Sequence, residues 1–311
     1  MITESENDGN RAESAGDGDD PFSWGSWRAL YPFRSHYLTV GQGARMHYVD
    51  EGEGDPVLMV HGNPTWSFYY RRLILGLRRR HRCVAPDHIG CGLSDKPGDY
   101  TYRLHRHVEN LEKLVTGLDL KNLTLVLHDW GGAVGMAMAQ RHPERIRRIV
   151  LLNTAAFPSP RIPFRIAVCR TPVLGAVAVR FFNAFVRAAL RMAVVHRDRM
   201  TPNTVSGYLH PYDSWRNRIA VLRFVQDIPM KPEHPSYALL ARTGENLGIF
   251  RDRPMLIYWG ARDFCFDDSF LRKWRELFPE AEIRRIADAG HYVLEDAHEE
   301  IIPAVQRFLE T

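Results

Sequence analysis

The sequence predicts an α/β fold, with a mostly parallel eight-stranded sheet flanked by helices and an inserted helical cap. From Pro56 onward, short apolar runs alternate with helical patterns, which is typical of parallel strands joined by helices. Six of these runs are strand candidates, at 57–60, 82–85, 123–127, 149–152, 255–259 and 282–286. Two earlier segments, 36–40 and 44–49, flank a Gly-Gln-Gly turn and predict a hairpin.

The middle of the chain breaks this rhythm. After Phe157 a proline-punctuated helical pattern continues to about Asn246 without a strand candidate. We therefore predict a helical cap at 157–246, inserted into a core formed by 21–156 and 247–311. Residues 1–20 are rich in Glu, Asp, Gly, Ser and Asn and have almost no apolar side chains, so they are predicted to form a disordered acidic tail.

The composition excludes several classes of function. The formal net charge is only +4, and no Lys/Arg run is interleaved with aromatic residues, so nucleic acid is not expected as a partner. The cysteines form no CxxC pair and have no His at metal-ligand spacing, which argues against a zinc site and against a disulfide framework: Cys83, Cys91, Cys169 and Cys265. Since the N-terminus also has no basic and apolar leader, we expect a cytoplasmic protein.

The segment 123–135 carries the sharpest chemical signal. It combines an apolar strand, one acidic residue, Asp129, and small residues that open a helix. This layout is typical of a nucleophile elbow, in which a tight strand-to-helix turn exposes one side chain at the edge of the sheet. Alternatively, Asp129 caps a helix that begins near Gly131. Leu127 stands where elbows with a Ser nucleophile usually have Gly, which leaves the tightness of the turn open.

Two further segments follow in the chain order nucleophile, acid, histidine. Strand 255–259 ends in Gly-x-x-Asp263, and Ala-Asp-Ala-Gly-His291 follows the last predicted strand. Taken singly, these residues are interpreted more simply as a loop acid and a surface histidine. Together they predict Asp129 as the nucleophile, His291 as the base and Asp263 as the acid that orients the base.

A fourth segment precedes the elbow by about seventy residues. Strand 57–60 runs into a His-Gly-Asn-Pro motif, for which an ordinary turn is the simpler interpretation. In folds with a nucleophile elbow, the backbone N–H after this Gly joins the N–H after the nucleophile in an oxyanion hole. The predicted donors are the N–H groups of Asn63 and Trp130.

These motifs resemble the haloalkane dehalogenase-like branch of the α/β-hydrolases, over nearly everything from Tyr31 to Leu309. The most specific are His61-Gly-Asn-Pro64, Asp87-His-Ile-Gly-Cys-Gly-Leu-Ser-Asp-Lys-Pro97 and His128-Asp-Trp-Gly-Gly132. More narrowly, the cap and tail are similar to the β-lactone decarboxylases of bacterial long-chain olefin biosynthesis. The segments that carry this similarity are Asn153-Thr-Ala-Ala-Phe157, Phe182-Asn-Ala-Phe185, Pro211-Tyr-Asp-Ser-Trp-Arg-Asn-Arg-Ile219, Arg223-Phe-Val-Gln-Asp-Ile-Pro229 and His291-Tyr-Val-Leu-Glu-Asp296.

The resemblance implies an anion site made by the Asn63 carboxamide and the Trp130 indole N–H, both of which are donors without full charge. It also implies conversion of long-chain cis-β-lactones to cis-olefins and CO₂, without a metal or an organic cofactor. In that reaction Asp129 attacks either the sp³ C–O carbon or the lactone carbonyl. Some dehalogenases carry the triad acid at the position of Asn153, but asparagine cannot pair as an anion with an imidazolium, so Asp263 is preferred.

Three other functions stay open at this point. In a haloalkane dehalogenase Asp129 would displace halide, and His291 would activate water to hydrolyse the alkyl ester. An epoxide hydrolase would need cap tyrosines to protonate the opening oxygen, and the cap has Tyr208, Tyr212 and Tyr237. A non-enzymatic binding protein on this fold would be expected to have lost a triad member, and none is lost.

The cap contains an apolar stretch at 173–195. Apart from Arg180, Arg187 and Arg191, almost every residue is apolar, which predicts one helix with these arginines on one face. We favour a slot for long alkyl chains, with four aromatic residues as candidate substrate contacts: Phe164, Phe181, Phe182 and Phe185.

Contact of the cap with a bilayer or a partner protein is the alternative. No acidic residue occurs between Glu144 and Asp198, which adds to the attraction for an anionic surface. The resemblance further implies assembly with upstream enzymes of the olefin pathway, such as a β-lactone synthetase.

Overall fold

The computed structural model of the protein describes residues 26–310, so the predicted acidic tail lies outside the described residues. The strands are β1 (His36–Thr39), β2 (Arg45–Glu51), β3 (Pro56–Val60), β4 (Arg82–Pro86), β5 (Leu123–Asp129), β6 (Ile146–Thr154), β7 (Met255–Gly260) and β8 (Glu282–Ile286). They form one eight-stranded sheet in the order β1-β2-β4-β3-β5-β6-β7-β8. β2 is antiparallel to β1 and β4, and every other pair is parallel. The predicted α/β class is confirmed.

Eleven α-helices accompany these strands in the described chain. They are α1 (Arg71–Leu77), α2 (Leu104–Gly117), α3 (Trp130–Ala139), α4 (Phe164–Cys169), α5 (Pro172–Ala176), α6 (Ala184–Met192), α7 (Pro202–Leu209), α8 (Ile219–Gln226), α9 (Tyr237–Glu245), α10 (Asp268–Leu277) and α11 (Val293–Glu310). Helices α2 and α3 pack on one face of the sheet, whereas α1 and α11 pack on the other.

The central strand β5 is buried along its whole length. Leu125 and Leu127 belong to the hydrophobic cluster on one face of the sheet, and Val126 belongs to the cluster on the other, because successive side chains of a strand point to opposite faces. A continuous apolar run is typical of a parallel strand covered on both faces. β5 also continues beyond its predicted end at residue 127, since Asp129 stays paired opposite Thr154 of β6.

The segment between β6 and β7 contains helices α4 to α9 and no strand among its residues, all of which are described. The cap boundaries at 157–246 remain a prediction. A buried ion pair ties this segment to the core: Arg71 Nη1 lies 2.5 Å from Glu295 Oε1, and the Tyr208 hydroxyl from α7 donates to the same oxygen at 2.5 Å. All three side chains are fully buried.

The prediction of one helix over 173–195 is wrong. Helix α5 continues into a π-helical turn, Val177–Phe181, and the chain bends by 73° before α6. The bend occurs at Asn183, whose φ of 53° is left-handed and interrupts the helix. Arg180 therefore does not share a helix with Arg187 and Arg191. Within residues 26–310 no single helix is long and apolar enough to span a bilayer. The two segments of the bent pair, Pro172–Phe181 and Ala184–Met192, reach the necessary length and apolar composition only when they are counted together.

Candidate active site

Asp129 occupies the turn between β5 and α3. Its backbone has φ 52° and ψ −125°, a conformation that L-residues rarely adopt, and its side chain makes no capping hydrogen bond to the helix that follows. The capping alternative is therefore excluded. The turn is held from β6, where the Thr154 hydroxyl donates to the Asp129 carbonyl oxygen. A tight strand-to-helix turn of this kind is the defining feature of a nucleophile elbow.

Leu127 fits beneath this elbow because of a glycine in the helix. A Cβ atom on Gly135 would lie 2.4 Å from Leu127 Cδ2, so only glycine leaves room for the leucine at this approach of α3 to β5. Elbows with a Ser nucleophile usually have Gly at the position of Leu127. Here Gly135 of α3 provides the space that the larger leucine side chain needs.

The loop after β3 contributes a backbone donor to the Asp129 carboxylate. The N–H of Asn63 donates to Asp129 Oδ1 at 2.7 Å, and a Cβ atom on Gly62 would lie 1.9 Å from that same oxygen. The Asn63 side-chain nitrogen donates to the carbonyl of Val221, in α8, at 3.1 Å. An amide nitrogen carries two hydrogens, so one N–H remains for an anion.

His291 stands between two carboxylates, as the chain order predicted. Its Nδ1 lies 2.8 Å from Asp263 Oδ2, and its Nε2 lies 3.4 Å from Asp129 Oδ2. Asp263 is anchored in turn, because its Oδ1 accepts from the backbone N–H groups of Cys265 at 2.6 Å and Phe266 at 3.1 Å. All three members of the predicted triad are buried and in contact.

Asn153 is a supporting residue whose role the sequence did not reveal. Its side-chain nitrogen donates to Asp263 Oδ2 at 2.9 Å, and its Oδ1 accepts from the backbone N–H of Gly260 at 2.8 Å. Its own backbone has a positive φ of 38°. The residue at the alternative acid position therefore holds the predicted acid, Asp263. In the sequence, the position of Asn153 at the end of the strand next to the elbow was the one sign that it could support the site.

The charges in this cluster shift each other's pKa values. Burial by itself would lower the pKa of His291, but the charges of Asp263 and Asp129 and their hydrogen bonds outweigh it and raise the pKa to about 10. Burial would raise the pKa of Asp129, but the hydrogen bond and charge of His291 outweigh burial and lower it. The raised pKa of His291 therefore favours its imidazolium form beside Asp129 at neutral pH.

A second histidine lies beneath this cluster. His128 Nε2 hydrogen-bonds to the backbone carbonyl of His291 at 2.9 Å, and its ring stacks on Tyr69 with the centroids 4.3 Å apart. Burial, followed by the charge of His291, lowers the pKa of His128 to about 3. A neutral His128 thus supports the backbone of the charged histidine.

A cavity of about 370 Å³ opens above Asp129 and His291. Its lining is mostly apolar and comes from both the core and the segment between β6 and β7. Core contributors include Asn63, Trp130 and Phe266; contributors from the helical segment include Ile166, Phe185, Ala189, Met192, Val225 and Leu240. Such a lining with a few convergent polar groups is typical of a site for a hydrophobic small molecule.

The predicted aromatic contacts need correction. Phe185 lines the cavity, but Phe164, Phe181 and Phe182 do not, and these three are 81%, 67% and 63% exposed. The bend at Asn183 turns the Phe181–Phe182 pair outward, and α4 presents Ile166 and Cys169 to the cavity instead of Phe164. We therefore remove these three residues from the substrate slot.

The cap tyrosines that an epoxide hydrolase would use are elsewhere. Tyr208 donates to Glu295, and the Tyr212 hydroxyl lies 3.4 Å from the carbonyl oxygen of Thr65. Neither these two nor Tyr237 lines the cavity. This geometry does not support the epoxide hydrolase interpretation. Within the described residues, no group of three or more His, Cys, Asp or Glu side chains is arranged to hold a metal ion.

Comparison with known proteins places this geometry in a family. A family model described as the alpha/beta hydrolase fold matches residues 55–298. The chain therefore belongs to the α/β-hydrolase fold family. It is 49% identical to a cis-3-alkyl-4-alkyloxetan-2-one decarboxylase of Shewanella oneidensis, over 90% of this chain and 89% of the relative. A relative of the same name from Xanthomonas campestris pv. campestris is 44% identical, over 90% of this chain and 97% of its own length.

The solved structures that are similar include a haloalkane dehalogenase from Agrobacterium tumefaciens. It is 28% identical, with a TM-score of 0.79, over 89% of this chain and 96% of that chain. The resemblance inferred from the motifs, to the dehalogenase-like branch and more narrowly to the decarboxylases, is confirmed.

Proposed function

We propose that the protein is a lyase that converts long-chain cis-3,4-dialkyl β-lactones to cis-olefins and CO₂, with the carboxylate of Asp129 as nucleophile. The observation that carries the proposal is the position of that carboxylate, between the Asn63 N–H and His291 at the base of a mostly apolar cavity. The decarboxylase name of the relatives at 49% and 44% identity supports the choice of substrate.

The two carboxylate oxygens have different surroundings, which favours attack at the sp³ C–O carbon of the ring. Oδ1 accepts from the Asn63 N–H and becomes the carbonyl oxygen of an ester, whereas Oδ2 faces His291 and attacks. Attack at the lactone carbonyl would instead create a new oxyanion, and the Asn63 N–H that would bind it is already engaged by Asp129.

The second step forms the olefin. Ring opening breaks the C4–O bond, makes an alkyl ester of Asp129 at C4 and leaves a free carboxylate on C3. Cleavage of the bond between C3 and that carboxylate then supplies the electron pair of the new double bond, and the Asp129 carboxylate leaves C4. Backside attack inverts C4 and sets the two leaving groups anti, so their departure gives the cis-olefin from the cis-lactone.

His291 and Asn63 act on the charges of these steps. The imidazolium stabilises Asp129 as the leaving carboxylate, and the free N–H of the Asn63 amide, with the Trp130 indole, holds the carboxylate released from the ring. While Asp129 is an ester its charge is absent, so the pKa of His291 falls. A neutral His291 would then be a base able to activate water.

That last property makes haloalkane hydrolysis the second candidate. The observation that favours it is the 28% identity, over 89% of this chain, with a dehalogenase of known structure. In this reaction Asp129 displaces halide, and water activated by His291 cleaves the ester. The two activities differ in whether the ester intermediate carries a carboxylate on the adjacent carbon.

We also propose a cytoplasmic location and a supply of substrate from an upstream enzyme. A β-lactone is made by ring closure of a β-hydroxy acid, and a β-lactone synthetase is the class of enzyme that performs it. Direct assembly with such a synthetase would hand over a poorly soluble product. Co-elution of the two purified proteins in size-exclusion chromatography tests this assembly.

The substrate test offers the purified protein a long-chain cis-β-lactone and a haloalkane of matched chain length, side by side. We expect olefin and CO₂ from the lactone, with kcat/KM that rises with alkyl length because each buried methylene contributes about 0.8 kcal/mol. The value for the lactone should exceed the value for the haloalkane. In His291→Ala, intact-mass spectrometry should detect an alkyl adduct after haloalkane exposure. If the protein does not convert the lactone but rapidly releases halide from the haloalkane, the decarboxylase proposal is wrong and the protein is a dehalogenase.

A further inference from the structure

The outer surface of the cap exposes large apolar side chains that the proposed reaction does not use. We define the cap patch as six exposed side chains: Phe164, Val173, Leu174, Val177, Phe181 and Phe182. The most exposed are Phe164 at 81%, Val173 at 72% and Leu174 at 69%. Helix α4 packs on α5, and α5 packs on the π-helical turn. The patch residues therefore lie on neighbouring elements of one part of the surface, and clusters of exposed apolar side chains mark interaction sites.

The helices under the cap patch also form the wall of the cavity. In α4, Ile166 and Cys169 line the cavity while Phe164 is exposed; in α6, Phe185 and Ala189 line it. Val186 and Leu190 of α6 are buried in the hydrophobic cluster that also contains residues of α1 and α11. Because these side chains of α6 pack inside the protein, the bent pair α5–α6 lies along the surface of the protein. One layer of helix separates the cap patch from the cavity.

The surroundings of the cap patch are positively charged. Residues 161–191 contain six arginines and no acidic residue: Arg161, Arg165, Arg170, Arg180, Arg187 and Arg191. None of the six belongs to a salt bridge with another described residue. Arg180 instead lies over the exposed ring of Trp215, with its Cζ 4.2 Å from the ring centroid. Exposed apolar side chains among unneutralised arginines match the interface of an anionic membrane.

We propose that the cap patch docks on the surface of an anionic phospholipid bilayer, with its apolar side chains at headgroup depth and the surrounding arginines on the lipid phosphates. Docking brings the α4 wall of the cavity to the membrane, where long-chain molecules partition. Only this consequence, entry of substrate from the bilayer, rests on the proposed function. The docking itself does not depend on the reaction.

The test is flotation of the full-length protein with vesicles of phosphatidylcholine and phosphatidylglycerol, and with vesicles of phosphatidylcholine alone, without substrate. We expect binding to the anionic vesicles that weakens as salt is raised. The variant F164S/F181S/F182S should bind at least about tenfold more weakly. Its matched control, Y37S/L75S/I249S, removes apolar side chains that are exposed elsewhere, at 47%, 39% and 48%, and should bind like the wild type.

The arginines are tested separately. R187Q/R191Q should lose most of the preference for anionic vesicles, whereas R272Q/R275Q, on the exposed face of α10, should keep it. Equal binding by the patch variant and its control would overturn the proposal, as would a wild type that binds neither vesicle. A wild-type dimer that the patch variant dissociates, in the absence of vesicle binding, would overturn it too and assign the patch to a second copy of the chain. The flotation assay contains no substrate, so its outcome is independent of the proposed function. Turnover of a short, water-soluble β-lactone by the wild type and the patch variant tests that function separately.

Discussion

The floor of the cavity and the outer face of the cap treat charge in opposite ways. At the floor, Asp129, Asp263 and His291 are buried, and each carboxylate is bound by partners distant in sequence. On the cap, Arg187 and Arg191 are exposed and have no salt bridge with the described residues. Buried charges require compensation within the protein, whereas exposed ones leave their interactions to solvent or to a ligand.

This difference assigns separate tasks to the two regions. The floor is held by hydrogen bonds from three different strand ends, so small changes there directly alter the groups that are proposed to react. The outer cap is held by the packing of short apolar helices, and its exposed side chains contribute little to that packing. Substitutions at the floor should therefore affect the chemistry strongly, and those on the outer cap should affect only what the surface contacts.

The largest effect is expected at the nucleophile. Asp129→Asn should reduce kcat at least about a thousandfold, because the amide is similar in size but is not nucleophilic. The matched control Asp252→Asn removes a carboxylate that is 71% exposed and should leave kcat unchanged. Circular dichroism checks that both variants fold. Undiminished turnover by a folded Asp129→Asn variant would remove Asp129 from the mechanism.

Two ion pairs away from the proposed reaction site, the buried pair Arg71–Glu295 and the exposed pair Arg80–Glu310, allow the effect of burial on stability to be compared. Glu295→Gln leaves Arg71 without its counter-charge in a buried site and should lower the free energy of unfolding by about 3–5 kcal/mol. Glu310→Gln breaks a pair with Arg80 whose side chains are 57% and 78% exposed, and should cost at most about 1 kcal/mol. Urea unfolding measures both. Similar costs would mean that burial does not separate these pairs.

The charge cluster at the floor predicts a pH dependence of stability. The pKa of His291 is raised to about 10 in the folded protein, so its stabilising contribution is complete below the unfolded value of about 6.5 and is lost as pH rises through about 10. The difference in unfolding free energy between the wild type and His291→Ala should therefore be largest near pH 6. Asp263→Asn removes a charge that raises the pKa of His291, so in this variant the stabilising contribution of His291 should be lost at a lower pH. A difference independent of pH from 6 to 10 would contradict this account.

The smallest effect is expected on the outer cap. Because the three side chains are exposed, F164S/F181S/F182S should change the free energy of unfolding by less than about 1 kcal/mol and leave kcat on a soluble substrate unchanged. Phe185→Ser, by contrast, changes a cavity-lining residue of the same type and should raise KM for long-chain substrates more than for short ones. If F164S/F181S/F182S raised KM for long-chain substrates as Phe185→Ser does, these three residues would have to be counted again as substrate contacts.

Local sequence patterns were sufficient to predict the strands and the elbow. Apolar runs predicted every strand of the sheet to within a few residues, and the small residues after Asp129 predicted the turn, because both signals depend on near neighbours. The break at Asn183 was missed because the apolar pattern continues on both sides of it, although asparagine adopts left-handed backbone more readily than most residues. Whether a phenylalanine lined the cavity could not be predicted, since that depends on which helix face packs inward.

The sequence by itself determined the class of fold and the chain order of Asp129, Asp263 and His291, the residues proposed to carry the chemistry, because each is encoded in a short motif. Only the tertiary structure decided that Asn153 supports Asp263, that Gly135 makes room for Leu127 and that Phe185 alone among the four phenylalanines lines the cavity. It also decided the raised pKa of His291. These features depend on distances between residues far apart in the chain, which arise only when the strands and helices pack together.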